Sequence, residues 1–370
     1  MIITAMPNYP SGKIFAVYRG KWKLRETVNG LDVRRYILYP SNSPKKLPRI
    51  FSMLSFSITS FASLFTLRSF RPDYIFTESP PLTLGLTGLM LSRLTGAKHI
   101  MNVSDIWPLS AHRLGAISKG GFYNSIVKLE RYLYRKSFGC TGQSEEIVQH
   151  ILQEGGKHVQ LFRNGVDITR FQYRDSQGGS GKLKIVYTGL LGVAQGIAGI
   201  CRHISFAKLN AEFHIYGEGS ERPAIEEYLQ AHPDCGIIYH GLARRDEIPG
   251  ILADADVTLI PLIKPIEGAV PSKIYESMAA GTPIIFSGGG EGAKIVAQYD
   301  TGWVCNPRKY AEISACIENI ANGNRAELKY KGANGRSAAG RVFSRQIQVD
   351  QLHSFLLNGN EANNSSRRKA

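Results

Sequence analysis

The sequence predicts an α/β protein made of two consecutive doubly wound domains, each a parallel sheet covered by helices. Three observations carry this. Short apolar runs ending at Gly, Asp, Glu or Pro alternate with longer helical segments along most of the chain, the pattern of strands buried on both faces. The alternation breaks once, at the polar, glycine-rich DSQGGSG of Asp175–Gly181, and restarts after it, as an interdomain linker would have it. The length of 370 residues exceeds one typical core. Composition is globular, with 43% apolar and 20% charged residues.

Taken in order, MIITAMP is a strand stopping at Pro7, and Tyr9–Glu26 is a basic, aromatic, glycine-punctuated stretch before the strand LDVRRYILY. Ile50–Leu67 is eighteen residues without a charge, flanked by Lys45, Lys46, Arg49, Arg68 and Arg71; seven of the eighteen are Ser or Thr. It is short for a membrane span, which needs about 20 predominantly apolar residues. We read it as a helix packed on a sheet or lying in a membrane interface, with a true span and a simply buried helix as the alternatives. PDYIFTE, AKHIMNVSD, FGCTGQS and HVQLFRNGVD are strands of the first domain. Between them lie helices from PPLTLGL to Gly96, over FYNSIVKLERYLYRKS, and over EEIVQHILQEG capped by Ser144. KIVYTG, AEFHIYG, GIIYHG, DVTLIPL, TPIIFSG and GWVCN are strands of the second.

The net charge is +15 and unevenly placed: residues 1–175 carry 24 Lys and Arg against 11 Asp and Glu, residues 176–370 carry 21 against 19. A basic half suits an anionic membrane surface or a phosphorylated substrate; nucleic acid is disfavoured, because no recognisable nucleic-acid-binding motif accompanies the charge. Five cysteines are scattered without a CxxC pair, so neither a disulfide framework nor a zinc site is indicated, and a reducing cytoplasm fits. No charged leader with a cleavage site precedes the first strand. The histidines form no HExxH or HxH pair, and Asp254 and Asp256 open a strand rather than follow one, so no metal site is expected.

The most informative stretch is GAVPSKIYESMAAG, Gly268–Gly281, followed by TPIIFSGGGEG. Pro271 suits the start of a helix and Gly281 its end. Ser272 and Lys273 then lie at an electropositive helix terminus that favours an anion, with Glu276 about one turn on. The plain alternative is an amphipathic helix with a solvated Lys and Glu. In open α/β sheets ligands bind beyond the carboxyl ends of strands. The glycines there, Gly189 and Gly192 near Gln195, Gly217 and Gly219, Gly241, and Gly288–Gly292, would let a backbone approach a phosphate or remain simple turns. In the first domain Asp105, beside Trp107, and Glu78 end strands. Asp105 is the polar candidate there, Trp107 a ring for stacking on a sugar and Glu78 the secondary candidate; otherwise Asp105 caps a turn and Trp107 joins the core.

PSKIYESMAAGTPII closely resembles the donor-site helix of retaining glycosyltransferase family four, in the branch that builds bacterial surface polysaccharides of colanic-acid and O-antigen type. MPNYPSGKI, TESPPLTLGL, SDIWPLSA, RNGVDITRF, YTGLLGVAQGI and ADADVTLIPL match the same pattern in order and cover nearly the whole chain. The resemblance implies the GT-B fold, two Rossmann-like domains facing a cleft: residues 1–175 on the acceptor side, 176–342 on the nucleotide-sugar donor side, 343–357 a helix crossing back, and 358–370 a disordered tail. It implies a metal-independent hexosyl or N-acetylhexosaminyl transferase whose nucleotide sugar is a substrate, with no cofactor. The acceptor would be a lipid-linked saccharide or an oligosaccharide, and the protein would sit peripherally on the cytoplasmic face of the membrane. Glu276 resembles the second glutamate of the E-x7-E pattern, which holds the ribose hydroxyls. The first falls on Gly268, so the backbone of Gly268, Ala269 and Val270 is expected at the donor sugar. The usual diphosphate-binding Arg and Lys fall on Leu190 and Gln195, leaving Lys273 with Ser272 as the replacement clamp.

One departure stands out. Proteins of this kind begin with a strand and a glycine-rich loop before the strand carrying the NYP block, and Met1 already stands in that second strand. The expectation is an N-terminally shortened first domain lacking a unit of roughly 30 residues, with part of its sheet uncovered. An inactive, glycosyltransferase-like assembly partner at the membrane is therefore the alternative function, and a sugar-nucleotide epimerase on the same fold a weaker one.

Overall fold

Parallel strands need crossovers of a dozen or more residues, and the connections between successive strands of the second half of the chain are of that length and contain helices. The computed structural model describes the chain except residues 9–10, 42, 44–45, 114, 116, 172–180, 266, 324 and 368–370, and describes no side chain at 46, 49, 325 or 359–367. The linker expected at Asp175–Gly181 lies outside the described residues up to Ser180. Two compact units result, Met1–Leu161 and Phe162–Ala370.

The first unit contains β1 (Ile2–Ala5), β2 (Lys23–Val28), β3 (Leu31–Tyr36), α1 (Lys46–Ser60), α2 (Leu64–Phe70), β4 (Tyr74–Ser79), α3 (Leu82–Thr95) and β5 (Lys98–Val103). It continues with α4 (Leu109–Arg113), α5 (Gly121–Lys136), β6 (Gly139–Gly142), α6 (Glu145–Gln153) and β7 (Val159–Leu161). Its strands form two sheets, β1-β3-β2 and β4-β5-β6-β7. All neighbours are parallel except β2 and β3, an antiparallel hairpin turning at Asn29 and Gly30, both with positive φ. The sequence reading left Lys23–Val28 unassigned; Asn-Gly between two strands is the turn that matches their twist. The apolar stretch Ile50–Leu67 divides into α1 and α2 through a 3₁₀ turn, Phe61–Ser63. By length and composition Ile50–Phe70 could cross a membrane, and only 22% of its most apolar eighteen-residue window is buried inside the protein.

The second unit contains β8 (Leu183–Thr188), α7 (Ile197–His203), β9 (Ala211–Tyr216), α8 (Arg222–Ala231), β10 (Ile237–Gly241), α9 (Ile248–Ala253), β11 (Val257–Pro261) and α10 (Ser272–Ala280). Then come β12 (Ile284–Ser287), α11 (Gly290–Gln298), β13 (Gly302–Cys305), α12 (Tyr310–Asn322), α13 (Arg325–Arg341) and α14 (Arg345–Arg367). Its sheet is wholly parallel, in the order β10-β9-β8-β11-β12-β13. Alternate residues of β8 feed opposite faces: Ile185 and Tyr187 join one core with α7, α8 and α12, and Val186 the other with α9, α10 and α13. This is the doubly wound arrangement the alternation predicts.

The division between units falls at Leu161 and Phe162 rather than near 175. Val166 bridges Ser344 in parallel, donating its N–H to Phe343 O and accepting from Arg345 N, and Phe171 is buried in the α10 core. The RNGVDITRF block is thereby anchored to the second unit. The final helix extends to Arg367, past Leu357, where the sequence reading ended it and placed a disordered tail.

Candidate functional site

Strand order in the second unit reverses between β8 and β11, and the crevice beyond the carboxyl ends of such a pair is where open α/β sheets bind ligands. The turn after β8 and the helix after β11 meet there. A Cβ built on Gly189 would lie 2.3 Å from Lys273 Cε and 2.6 Å from its Nζ, so the Lys273 side chain runs directly over the glycine backbone. Its ammonium sits 5.5 Å from the centre of the Tyr187 ring, and the Tyr187 hydroxyl donates to Leu190 O at 2.5 Å.

The neighbouring turn is locked to this one. Gly189 N–H donates to Tyr216 O (2.8 Å), Leu191 N–H to Glu218 O (2.9 Å), Gly217 N–H to Gly241 O (2.8 Å) and Glu221 N–H to Leu191 O (2.9 Å). A Cβ on Gly217 would stand 1.9 Å from Gly189 O. That backbone-to-backbone approach requires glycine. Two of the glycine turns picked from strand ends are thus one structure. Gly192 packs on Gln195, whose buried Oε1 has no hydrogen-bond partner among the described residues.

Helix α10 starts at Ser272 without a side-chain cap on Pro271 and ends at Gly281 with φ 75°. Ile274, Tyr275, Met278 and Ala279 face the core, while Ser272 is exposed and Lys273 and Glu276 are half-buried. Burial lowers the Lys273 ammonium pKa below its ordinary value, against the pull of Glu276. Burial likewise raises the Glu276 carboxyl, opposed by Lys273, Arg170 and Arg245. Desolvation disfavouring both charged forms marks a polar site not fully satisfied from within.

Arg170 and Arg245 are residues that spacing alone did not single out. Arg170 Nη2 donates to Arg245 O at 3.0 Å, which places both guanidinium-bearing loops on the Glu276 side of α10. Gly268 is buried with φ 79°, Ala269 is exposed and Val270 half-buried, leading into Pro271. A buried ion pair, Arg163 with Glu291, ties the RNG segment to the first turn of α11. Arg163 N–H also donates to Gln348 Oε1 at 2.9 Å. Asp256 serves the sheet: its carboxylate accepts from Lys184 N–H at 2.8 Å, sealing β11 onto β8.

In the first unit Glu78 accepts both contacts of the Asn102 amide, at 3.0 and 2.8 Å, and the Ser104 hydroxyl. Thr141 Oγ1 donates to Asn102 Oδ1 at 2.6 Å and Gln143 Nε2 to Ser104 Oγ at 2.9 Å. A polar network therefore spans the ends of β4, β5 and β6. Asp105 lies outside it, accepting from Ser110 Oγ at 2.9 Å as a turn cap, and Trp107 packs partly buried on the unit's core. Of the two first-unit carboxylates, the secondary candidate Glu78 holds the more connected position.

Two family patterns match the chain: "Glycosyl transferase 4-like domain" over residues 12–165 and "Glycosyl transferases group 1" over residues 182–322. Among curated proteins, WcaI of Escherichia coli K12, named for colanic acid biosynthesis, is 25% identical over 337 residues, covering 86% of this chain and 80% of that one. The glycosyltransferase WbjE of Pseudomonas aeruginosa is 24% identical, covering 83% and 78%. Among solved structures, HepE of Anabaena in complex with UDP and glucose superposes with a TM-score of 0.65 at 16% identity, over 88% of this chain and 86% of that one. Sucrose-phosphate synthase of Thermosynechococcus elongatus gives 0.67 at 15% identity, over 95% and 87%. The matches take in both units, and the chain belongs to the glycosyltransferase group 1 family, with the GT-B fold.

Proposed function

We propose that the protein transfers a sugar from a nucleotide-sugar donor to a lipid-linked or oligosaccharide acceptor in bacterial surface-polysaccharide biosynthesis, with retention and without a metal. The observation that carries this reading is the half-buried Lys273 ammonium laid over Gly189 at the switch point of the second sheet. Family membership supports the reaction class, and the colanic-acid relatives support the pathway class.

In this reading the electropositive start of α10 and Lys273 hold the donor diphosphate, Ser272 adds a hydroxyl, and Glu276 accepts from the ribose hydroxyls. The backbone of Gly268–Val270 faces the sugar. When the anomeric C–O bond breaks, the electron pair goes to the diphosphate, and a fixed cation in a partly desolvated site stabilises that charge. The acceptor hydroxyl forms the new bond on the face the diphosphate leaves, passing its proton to the departing phosphate oxygen. Glu78 with its Asn102 and Ser104 partners is the polar surface for the acceptor on the first unit, with Trp107 and Asp105 alongside.

Attachment to the cytoplasmic face of the membrane is part of the same proposal. Phe51, Ile58 and Phe65 are 61%, 72% and 78% exposed on a stretch followed by the exposed Arg68 and Arg71, a composition suited to an anionic lipid interface. The test is calorimetry and turnover with UDP-, GDP- and dTDP-sugars and polyprenyl-diphosphate saccharides. Retention is checked by the anomeric configuration of the product. Binding and turnover of one donor are expected; failure of every nucleotide to bind would overturn the reading in favour of an inactive partner protein.

A further inference from the structure

Phe213 and Ile215 of β9 face the core under α7 and α8, so Glu212, His214 and Tyr216 take the other face of the second sheet. There His214 Nδ1 lies 2.9 Å from His240 Nε2 of the neighbouring β10, with the ring planes 10° apart. The Tyr216 ring stacks on the His240 ring, centres 4.3 Å apart and planes 3° apart. His240 is the extra residue of a β-bulge: Tyr239 pairs with Ile215 and Gly241 with Tyr216, which leaves His240 no register partner on β9. A bulge re-aims its side chain, and this one is held by a hydrogen bond on its edge and a ring on its face.

The residues flanking His240 hold both backbone polar groups of Gly217. The Tyr239 hydroxyl donates to Gly217 O at 2.9 Å, and Gly217 N–H donates to Gly241 O at 2.8 Å. Gly217 bears on Gly189, which in turn lies under the Lys273 stem. The seat of His240 therefore sets the turn over which Lys273 runs. Among the described residues, the charges acting on the pair are Lys184 of β8 and Glu212, whose Oε2 is 3.6 Å from His214 Nε2 and whose Oε1 is 3.2 Å from Lys182 Nζ. Asp254, at the end of α9, acts on Tyr216.

We propose that His214 and His240 are a positioning pair for this turn: one shared proton holds the bulge on β9, and with it Gly217 against Gly189, and a doubly protonated pair releases both. A hydrogen bond between two imidazoles needs one bare nitrogen. A neutral pair has it, and so does a pair with one added proton, which settles on an outer nitrogen. A second added proton can only take the bare one, leaving two N–H groups opposed. Burial holds both imidazoles below the ordinary 6.5, Lys184 acts the same way, and Glu212 opposes it at His214. As pH falls from 6.5 toward those lowered values the unfolded chain binds the extra protons, so the pair's contribution to stability is full above that window and lost through it. The effect on nucleotide rests on the glycosyl-transfer reading; the effect on Gly217 stands without it.

The test compares the full native chain with His240→Phe, which keeps a ring on Tyr216 and removes the bond, and with His240→Gln, whose amide donates without titrating. Hydrogen exchange of the Gly217 amide, referred to that of Ile185, reads the turn with no ligand present. Calorimetry with UDP, GDP and dTDP reads the nucleotide site. At about pH 8, where histidines are neutral, His240→Phe is expected to speed Gly217 exchange and weaken nucleotide Kd roughly 2- to 10-fold, the loss of one hydrogen bond. His240→Gln should restore both. Down to about pH 5, the native chain should lose Gly217 protection that His240→Gln keeps. Native exchange at Gly217 in His240→Phe, or equal losses toward low pH in the native chain and His240→Gln, would overturn the proposal. If His240→Phe does not fold, that second comparison decides alone. A native chain that binds no nucleotide while Gly217 exchange follows the pair would sink the glycosyl-transfer reading and uphold the pair.

Discussion

Lys273→Met separates a ligand-binding lysine from a structural one, because the two roles move stability and affinity in different directions. In the free protein the ammonium is half-buried over Gly189, and no carboxylate among the described residues lies within ion-pair distance of it. Burial lowers its pKa, so its charge costs folding energy. Methionine keeps the stem against Gly189 and Tyr187 and removes that cost, so Tm is expected to hold or rise. A bound diphosphate would lose a charge-assisted contact of about 1.5–3 kcal/mol, a roughly 10- to 150-fold weaker Kd. The effect on transfer is larger, on the order of 10²–10³ in kcat, because charge on the leaving diphosphate grows in the transition state. Calorimetry with the preferred nucleotide, melting and single-turnover rates check all three. The linked pH effect has a fixed sign. Between the lowered folded pKa and the ordinary 10.5, the unfolded chain holds the extra proton, so this residue's contribution to stability rises with pH there. Nucleotide affinity falls across the same rise, and Lys273→Met flattens that slope. Unchanged affinity with a lower Tm would refute the argument and make Lys273 a packing residue.

The remaining predictions follow from neighbouring geometry. Burial raises the Glu276 carboxyl pKa above 4.5, so the folded state binds the extra proton between those two values, and stability rises as pH falls through that window. Glu276→Gln should therefore raise Tm at neutral pH, by roughly 2–4 °C per kcal/mol regained, while nucleoside diphosphate affinity drops; a lower Tm would count against a ligand-facing carboxylate. Asp256→Ala leaves the Lys184 N–H without its acceptor and should cost about 1–3 kcal/mol with nucleotide affinity intact, read by urea unfolding and calorimetry. Phe51→Ser with Phe65→Ser should abolish sedimentation with phosphatidylglycerol vesicles and leave nucleotide binding unchanged. The native chain's sedimentation should weaken with salt; equal sedimentation of both proteins would remove the membrane part of the proposal.

The sequence made much of the fold legible because the strands of the second unit are buried on both faces and helices in both units are punctuated by residues with one conformational use. Gly96 and Gly281 end their helices with positive φ, and Ser144 caps α6 through Ile147 N–H. β2 escaped because KLRETV is largely exposed and so lacks the buried run that reveals a central strand; its Asn-Gly turn was the usable sign. Arg170 and Arg245 escaped for a different reason. Arg170 ends a 3₁₀ turn, Ile168–Arg170, and Arg245 lies in the connection after β10, 106 and 31 residues before Glu276 by number, and only the winding of the sheet brings them to its side.

The same distinction explains why the site was half visible. The local part, an electropositive helix start with Ser272, Lys273 and Glu276, is written in one turn of sequence. Its complement is not, because Gly189 lies 84 positions before Lys273, and nothing in YTGLLG states which helix will cover it. The connection is made by topology: β8 and β11 are hydrogen-bonded neighbours at the place where the winding reverses, so the turn after one must face the helix after the other. Once that neighbour relation holds, a side chain on Gly189 would collide with the Lys273 stem and one on Gly217 with the Gly189 carbonyl. The glycines and the lysine are then a single constraint, and a substitution at any of them should disturb the crevice rather than one contact within it.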